Sequence, residues 1–255
     1  MGKMRAHVWL VGAVLCLCAD PATASEPQVS PSEPTADFLF GRPRGHVALW
    51  GGWQMARADS DIHDFFNRTL TVDGGDFDSF VFGVDVGISL SRRVDVVFGL
   101  EVNRASASSE YRDYVDDGNL PITQDTTLTV VPLTGGVKLY LTPRGREVSR
   151  YAFLPSKVRV YAGGSGGGVW YRLEQRGDFV DFVDLSIFTS TFRSSGWGLE
   201  AQGYGGVEVS LGLRWSVAFE GRYVWATAGL GDDYVRFEPI DLSGMRIKAG
   251  VHVSF

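Results

Sequence analysis

The chain has 255 residues, a formal net charge of −6, 32 glycines and 13% aromatic residues. That length suits one sizeable domain or two small ones. The acidic balance argues against a nucleic-acid binder, which needs a basic face, so no nucleic acid is expected among the partners.

Residues 1–24 open with Lys3 and Arg5, followed by an apolar run from Val8 to Ala19. The run is shorter than the ~20 residues that a membrane-spanning helix requires. Ala22-Thr23-Ala24 fits a cleavage site before Ser25, so a cleaved secretory signal is expected over 1–24. The two cysteines, Cys16 and Cys18, lie inside it, each preceded by a leucine where a lipoprotein anchor needs a small residue. The mature chain therefore has no thiol, and neither disulfides nor Cys-ligated metal are expected. No cofactor is expected either. Residues 25–44 are rich in Pro, Ser and Glu and read as a disordered or polyproline-like lead-in on the periplasmic side.

From residue 45 to 255 the pattern becomes alternation with period two. In chain order the strand candidates are 46–55, 80–90, 93–103, 135–141, 157–164, 199–211, 213–225 and 246–255. No convincing amphipathic helix interrupts them. Segment 179–192 also alternates, and reads either as a strand extension above a membrane or as part of a ninth and tenth strand.

The two faces differ chemically. In the third candidate Val94, Val96, Phe98, Leu100 and Val102 oppose Asp95, Gly99, Glu101 and Asn103. A soluble sandwich would also alternate, but its core would not tolerate unpaired charges. Strands of ~10 residues suit a tilted membrane crossing. Trp53, Phe80, Trp197, Trp215, Trp225 and Phe255 fall near strand ends, where interfacial aromatic girdles lie. Short links alternate with long polar ones, as periplasmic turns and extracellular loops do. The exception is the long link 142–156 on the short-turn side. The expected fold is an all-β, transmembrane, antiparallel up-and-down barrel of eight strands, with ten as the alternative.

These features resemble the small outer-membrane β-barrel superfamily of Gram-negative bacteria, which includes the OmpA-type transmembrane domain, OmpW-like and opacity-like proteins. In that superfamily a terminal aromatic and the alternate apolar residues before it address the barrel assembly machinery. The resemblance implies this role for Ile247, Ala249, Val251, Val253 and Phe255. It also implies outer-membrane phospholipid and lipopolysaccharide as the surrounding partners. Nothing follows Phe255, so the peptidoglycan-binding domain of full-length OmpA-type proteins is not expected.

Parity places Asp85, Asp95, Glu101, Glu200, Glu208 and Glu220 on the lumen face with Lys138, Arg159, Arg214, Arg222, Arg246 and Lys248. An eight-stranded barrel is only wide enough for side chains to fill it, so these charges should pair as a polar plug. A sharper reading is a gated conduit in which Glu220 or Glu200 exchanges partners among Arg222, Arg246 and Lys248.

No catalytic constellation stands out. His252 and Ser254 share a face, but parity turns them into the lumen at the periplasmic end. His63-Asp64 is an isolated pair in the first long loop. Glycines 163–168 precede neither a Lys-Ser/Thr pair nor a helix, so they suit crowding relief better than phosphate binding. Loop acids Asp116, Asp117, Asp232 and Asp233 suit solvated turns. The expected function is non-enzymatic, in envelope structure or surface interaction through long extracellular loops. The alternative is a narrow channel or carrier for small or hydrophobic solutes, and a lipid-modifying enzyme is the third reading.

Overall fold

The computed structural model describes residues 38–116, 118–149 and 151–255. The expected signal segment, most of the lead-in and Asp117 lie outside the described residues. Twelve strands occur among the described residues: β1 (Leu39–Phe40), β2 (Gly45–Ala56), β3 (Ser79–Ser89), β4 (Val94–Val115), β5 (Pro121–Tyr140) and β6 (Gly145–Ser149). They continue with β7 (Ala152–Pro155), β8 (Val158–Val180), β9 (Ile187–Ser210), β10 (Trp215–Ala228), β11 (Ile240–Asp241) and β12 (Gly244–Ser254). One helix, α1 (Asp61–Thr69), sits in the loop between β2 and β3.

Eight of the strands close into a ring. Each of β2, β3, β4, β5, β8, β9, β10 and β12 pairs antiparallel with its neighbour, and β12 pairs back onto β2. The closing seam runs from Gly244 opposite Ala56 to Ser254 opposite His46. Closure leaves no unpaired edge in the ring, the condition that a sheet must meet to sit in lipid. Segment 179–192 forms the tips of β8 and β9, which pair up to Val180 opposite Ile187. The barrel therefore has eight strands, and the ten-stranded alternative falls away.

The strands differ in height. β2, β3 and β12 have 11–12 residues, close to one tilted crossing. β4, β5, β8 and β9 have 20–24, a contour of about 65–80 Å. These four are neighbours in the ring and form one tall wall. Alternation marks their lower halves and, through segment 179–192, the tips of β8 and β9, but not the stretch between, because polarity changes sides partway up. On β4 the outward series Phe98, Leu100, Val102 continues as Arg104, Ser106, Ser108, while the inward series Glu101, Asn103 continues as Ala105 and, further on, Tyr111. On β10 inward Glu220 and Arg222 give way to Val224, Ala226 and Ala228. The lower part is polar inside and apolar outside, and the upper part is the reverse. A membrane around the first and water around the second account for both orders.

An apolar core fills the upper interior. Ile62, Phe66, Leu70, Val72 and Phe77 of the first loop pack on Leu128, Val130, Val169, Tyr171 and Leu173 of the tall wall. Ile240 and Leu242 of the last loop join them. Helix α1 was not anticipated. Its signals are short: Ser60 at the N-cap, Asp61 and Asp64 in the first turn, Arg68 in the last, and Ile62 and Phe66 buried one turn apart.

The long link at the opposite end also has a structure. β6 and β7 form a hairpin, and β1 adds to it as a third strand, Leu39 opposite Phe153. That part of the expected lead-in is an ordered strand in the described chain.

Candidate functional site

The charges that parity directed inward meet in the lower lumen. Asp85, Asp95, Glu101, Glu200, Glu208 and Glu220 are all buried there, as are Lys138, Arg159, Arg222, Arg246 and Lys248. Arg214 is not among them. It is exposed in the turn before Trp215, because the strand begins only at that tryptophan. Its place is taken by Arg144, which arises outside any strand, so alternation gave no sign of it. Six carboxylates thus face six cations.

Glu101 is the hub of the upper group. Its carboxylate accepts from Arg246 at 2.7 Å, from Lys248 at 2.5 Å and from Arg222 at 3.2 Å. Arg222 also donates to Glu220 at 2.7 Å and to the amide oxygen of Gln202. Asp85 stands 4.0 Å from Arg222, and Glu200 3.7 Å from Arg246. Gln54 accepts from Arg246 at 2.8 Å, and Tyr161 donates to Glu220 at 3.0 Å.

Glu208 is the hub of the lower group. It accepts from Lys138 at 2.5 Å and Tyr140 at 3.1 Å, and Arg159 lies 3.1 Å away. Lys138 sits 3.8 Å over the Tyr161 ring, a cation–π contact. His252 faces Glu208 at 3.4 Å and stacks on His46, whose Nδ1 is 3.6 Å from Asp95. Ser254 is only half-buried at the strand end. His252 is thus part of the polar network of the lumen, at the end where parity had put it.

Glycine makes room for the rings that cross this space. A Cβ on Gly250 would come within 2.5 Å of the Trp50 indole, and one on Gly163 within 2.5 Å of the Tyr204 ring. The first of the 163–168 glycines therefore relieves crowding in the lumen, as the sequence suggested.

Outside, the lower barrel is apolar. Leu49, Phe82, Phe98, Leu100, Leu133, Phe219 and Ile247 are exposed, bounded by Trp53, Phe80, Trp197, Trp215, Trp225 and Phe255. A belt of this size on a soluble protein would drive aggregation, whereas a bilayer covers it. Ala249 and Val251 continue the outer stripe of β12, Val253 is half-buried on it, and Lys248 and His252 point inward. The Phe255 carbonyl accepts from the Arg44 and Gly45 amides, which fastens the terminus to the seam.

His63 of the first loop is buried, with Nδ1 2.7 Å from Ser60 Oγ and its ring edge-on to Phe77. Burial pushes its pKa down to about 4, although Asp241, Asp64, Asp59 and Asp61 pull the other way. A buried neutral histidine of this kind is packing. Among the described residues no group of three His, Cys, Asp or Glu side chains could hold a metal ion.

The closed ring, the charges buried in its lumen and the apolar exterior define the class: a small eight-stranded transmembrane β-barrel of the outer-membrane type. No family model matches the chain, and no curated protein does. Among solved structures it is similar to Neisserial surface protein A, with 13% identity, 83% of this chain and 96% of that one covered, and a TM-score of 0.41. It is also similar to Ail, the attachment invasion locus protein of Yersinia pestis (11%, 82% and 99%, TM-score 0.42). A third is the N-terminal β-barrel domain of Pseudomonas aeruginosa OprF (11%, 84% and 98%, TM-score 0.33). At such values the class rests on the ring and its polarity, and the likeness carries no functional weight.

Proposed function

We propose that the protein is a non-enzymatic outer-membrane barrel whose closed lumen anchors a tall extracellular wall for envelope structure or surface interaction. The reversal of polarity along the tall strands is the observation that carries this reading. A chain whose role ended at the membrane would have no need of strands twice the crossing length, nor of an apolar core beyond it. The matched charges of the lower lumen, with the apolar core above them, support a plug rather than a pore. The C-terminal stripe ending in Phe255 is the proposed address for the barrel assembly machinery, and the exposed belt the proposed contact with phospholipid and lipopolysaccharide. Planar-bilayer recording of the folded protein tests the plug, and no steady current is expected. Sustained channels would instead support a narrow conduit, the second reading. That reading is favoured by Glu220, which is shared between Arg222 at 2.7 Å and Lys248 at 3.4 Å and so has a second partner ready. Lipid A profiles with and without the protein should be identical.

A further inference from the structure

Beyond the wall's surface role, its tip holds a cleft of about 200 Å³, distinct from the charged lumen, at the margin of the apolar core, with which it shares Leu70, Tyr111, Val180 and Tyr234. Its phenylalanines come from three parts of the chain. Phe65 comes from α1, Phe237 from the last loop, and Phe179, Phe182, Phe188 and Phe192 from the β8–β9 tips. The rings meet edge-on: Phe179 and Phe192 at 4.6 Å between centroids, Phe65 and Phe237 at 5.5 Å. Such ring edges and faces favour another aromatic over an alkyl chain. The volume is of the right order, because a dry apolar cavity of about 150 Å³ takes up benzene.

The polar lining of the cleft is asymmetric. The Gln175 side chain is satisfied, since its amide oxygen accepts from Tyr234 at 2.9 Å and its nitrogen donates to Thr126. Gln124, one strand away, is 3% exposed, and its amide oxygen has no hydrogen-bond partner among the described residues. A buried acceptor left unpaired is costly, and a ligand donor removes that cost. The cleft therefore supplies aromatic walls, one buried unpaired acceptor and, exposed at its rim, the Asp233 carboxylate, which already accepts from the Arg193 amide, with no cation to hold an anion.

We propose that this cleft binds a small monocyclic or bicyclic aromatic molecule carrying one hydrogen-bond donor, of the phenol or indole type, with the donor on Gln124 Oε1. The full chain in lipid nanodiscs is titrated with 4-fluorophenol and with fluorobenzene and followed by ¹⁹F NMR, empty nanodiscs correcting for partition into lipid. Saturable binding is expected, with fluorophenol held about three- to tenfold more tightly than fluorobenzene, the worth of one hydrogen bond. In Gln124→Met that preference should fall to about one while fluorobenzene still binds. Phe179→Trp, which fills the cleft, should remove binding of both, with barrel folding checked by heat-modifiable gel mobility. The proposal is overturned if neither probe saturates on the wild-type protein. It is equally overturned if the two bind alike, or if the preference survives in Gln124→Met.

Discussion

Arg144 reaches from the turn after β5 into the lumen and donates to Asp95 across 2.7 Å, closing the lower end of the barrel with a residue that belongs to no strand. Asp95 is otherwise faced by His46 at 3.6 Å. Arg144→Met should destabilise the barrel by about 3 kcal/mol, because it strands a fully buried carboxylate. Arg146→Met, an exposed change two residues away, should stay within about 0.5 kcal/mol. Urea unfolding in lipid vesicles compares the two.

Glu101 holds three cations at once, so its loss should cost more than that of any rim carboxylate. Glu101→Gln is expected to lower stability by about 3–5 kcal/mol. A loss below about 1 kcal/mol would mean that water solvates the cations and that the lumen is not a plug.

The reversal of polarity predicts opposite outcomes for one substitution at two outward positions. Phe219 lies between Trp215 and Trp225 on the apolar belt, and Phe219→Arg should cost about 2–4 kcal/mol. Ser106, outward on the raised part of β4, should accept arginine within about 0.5 kcal/mol. Equal costs would remove the membrane boundary from between them.

His63 makes the docking of the first loop sensitive to acid. The ring titrates near 6.5 when free and near 4 when docked. The undocked loop therefore takes up the proton first, and docking weakens as pH falls from about 6.5 to 4, by up to about 3 kcal/mol. Hydrogen exchange of the α1 amides at pH 7.5 and 5 should show faster opening in acid, and His63→Leu should flatten the difference.

Removing Phe255 separates address from architecture. The truncated chain should still refold in detergent, since the seam keeps its strand pairs from Gly244 to Ser254. In cells it should accumulate unfolded. Normal assembly in cells would show that the terminal aromatic is no signal.

The lower barrel was legible because lipid outside and charge inside make alternation loud: Phe98 beside Glu101, Ile247 beside Lys248. The upper wall was nearly silent. There the outward residues are mostly serines, threonines and arginines and the inward ones valines, leucines, alanines and tyrosines, the ordinary pattern of any half-buried strand. Arg144 and α1 escaped for another reason, since each lies in a link where period-two reasoning has nothing to count. The cleft at the tip depends on rings from three distant segments, and their convergence follows from the closed ring rather than from any local spacing.

The unequal walls give the molecule a direction within the plane of the membrane. A barrel of equal strands would present the same profile to every neighbour around it. Here four tall strands stand side by side and four low ones face them, so the protein has a back and a front. A large object arriving along the surface is blocked on one side and admitted on the other. Molecules packed beside it in a crowded bilayer meet a screen or a step, according to the angle from which they approach.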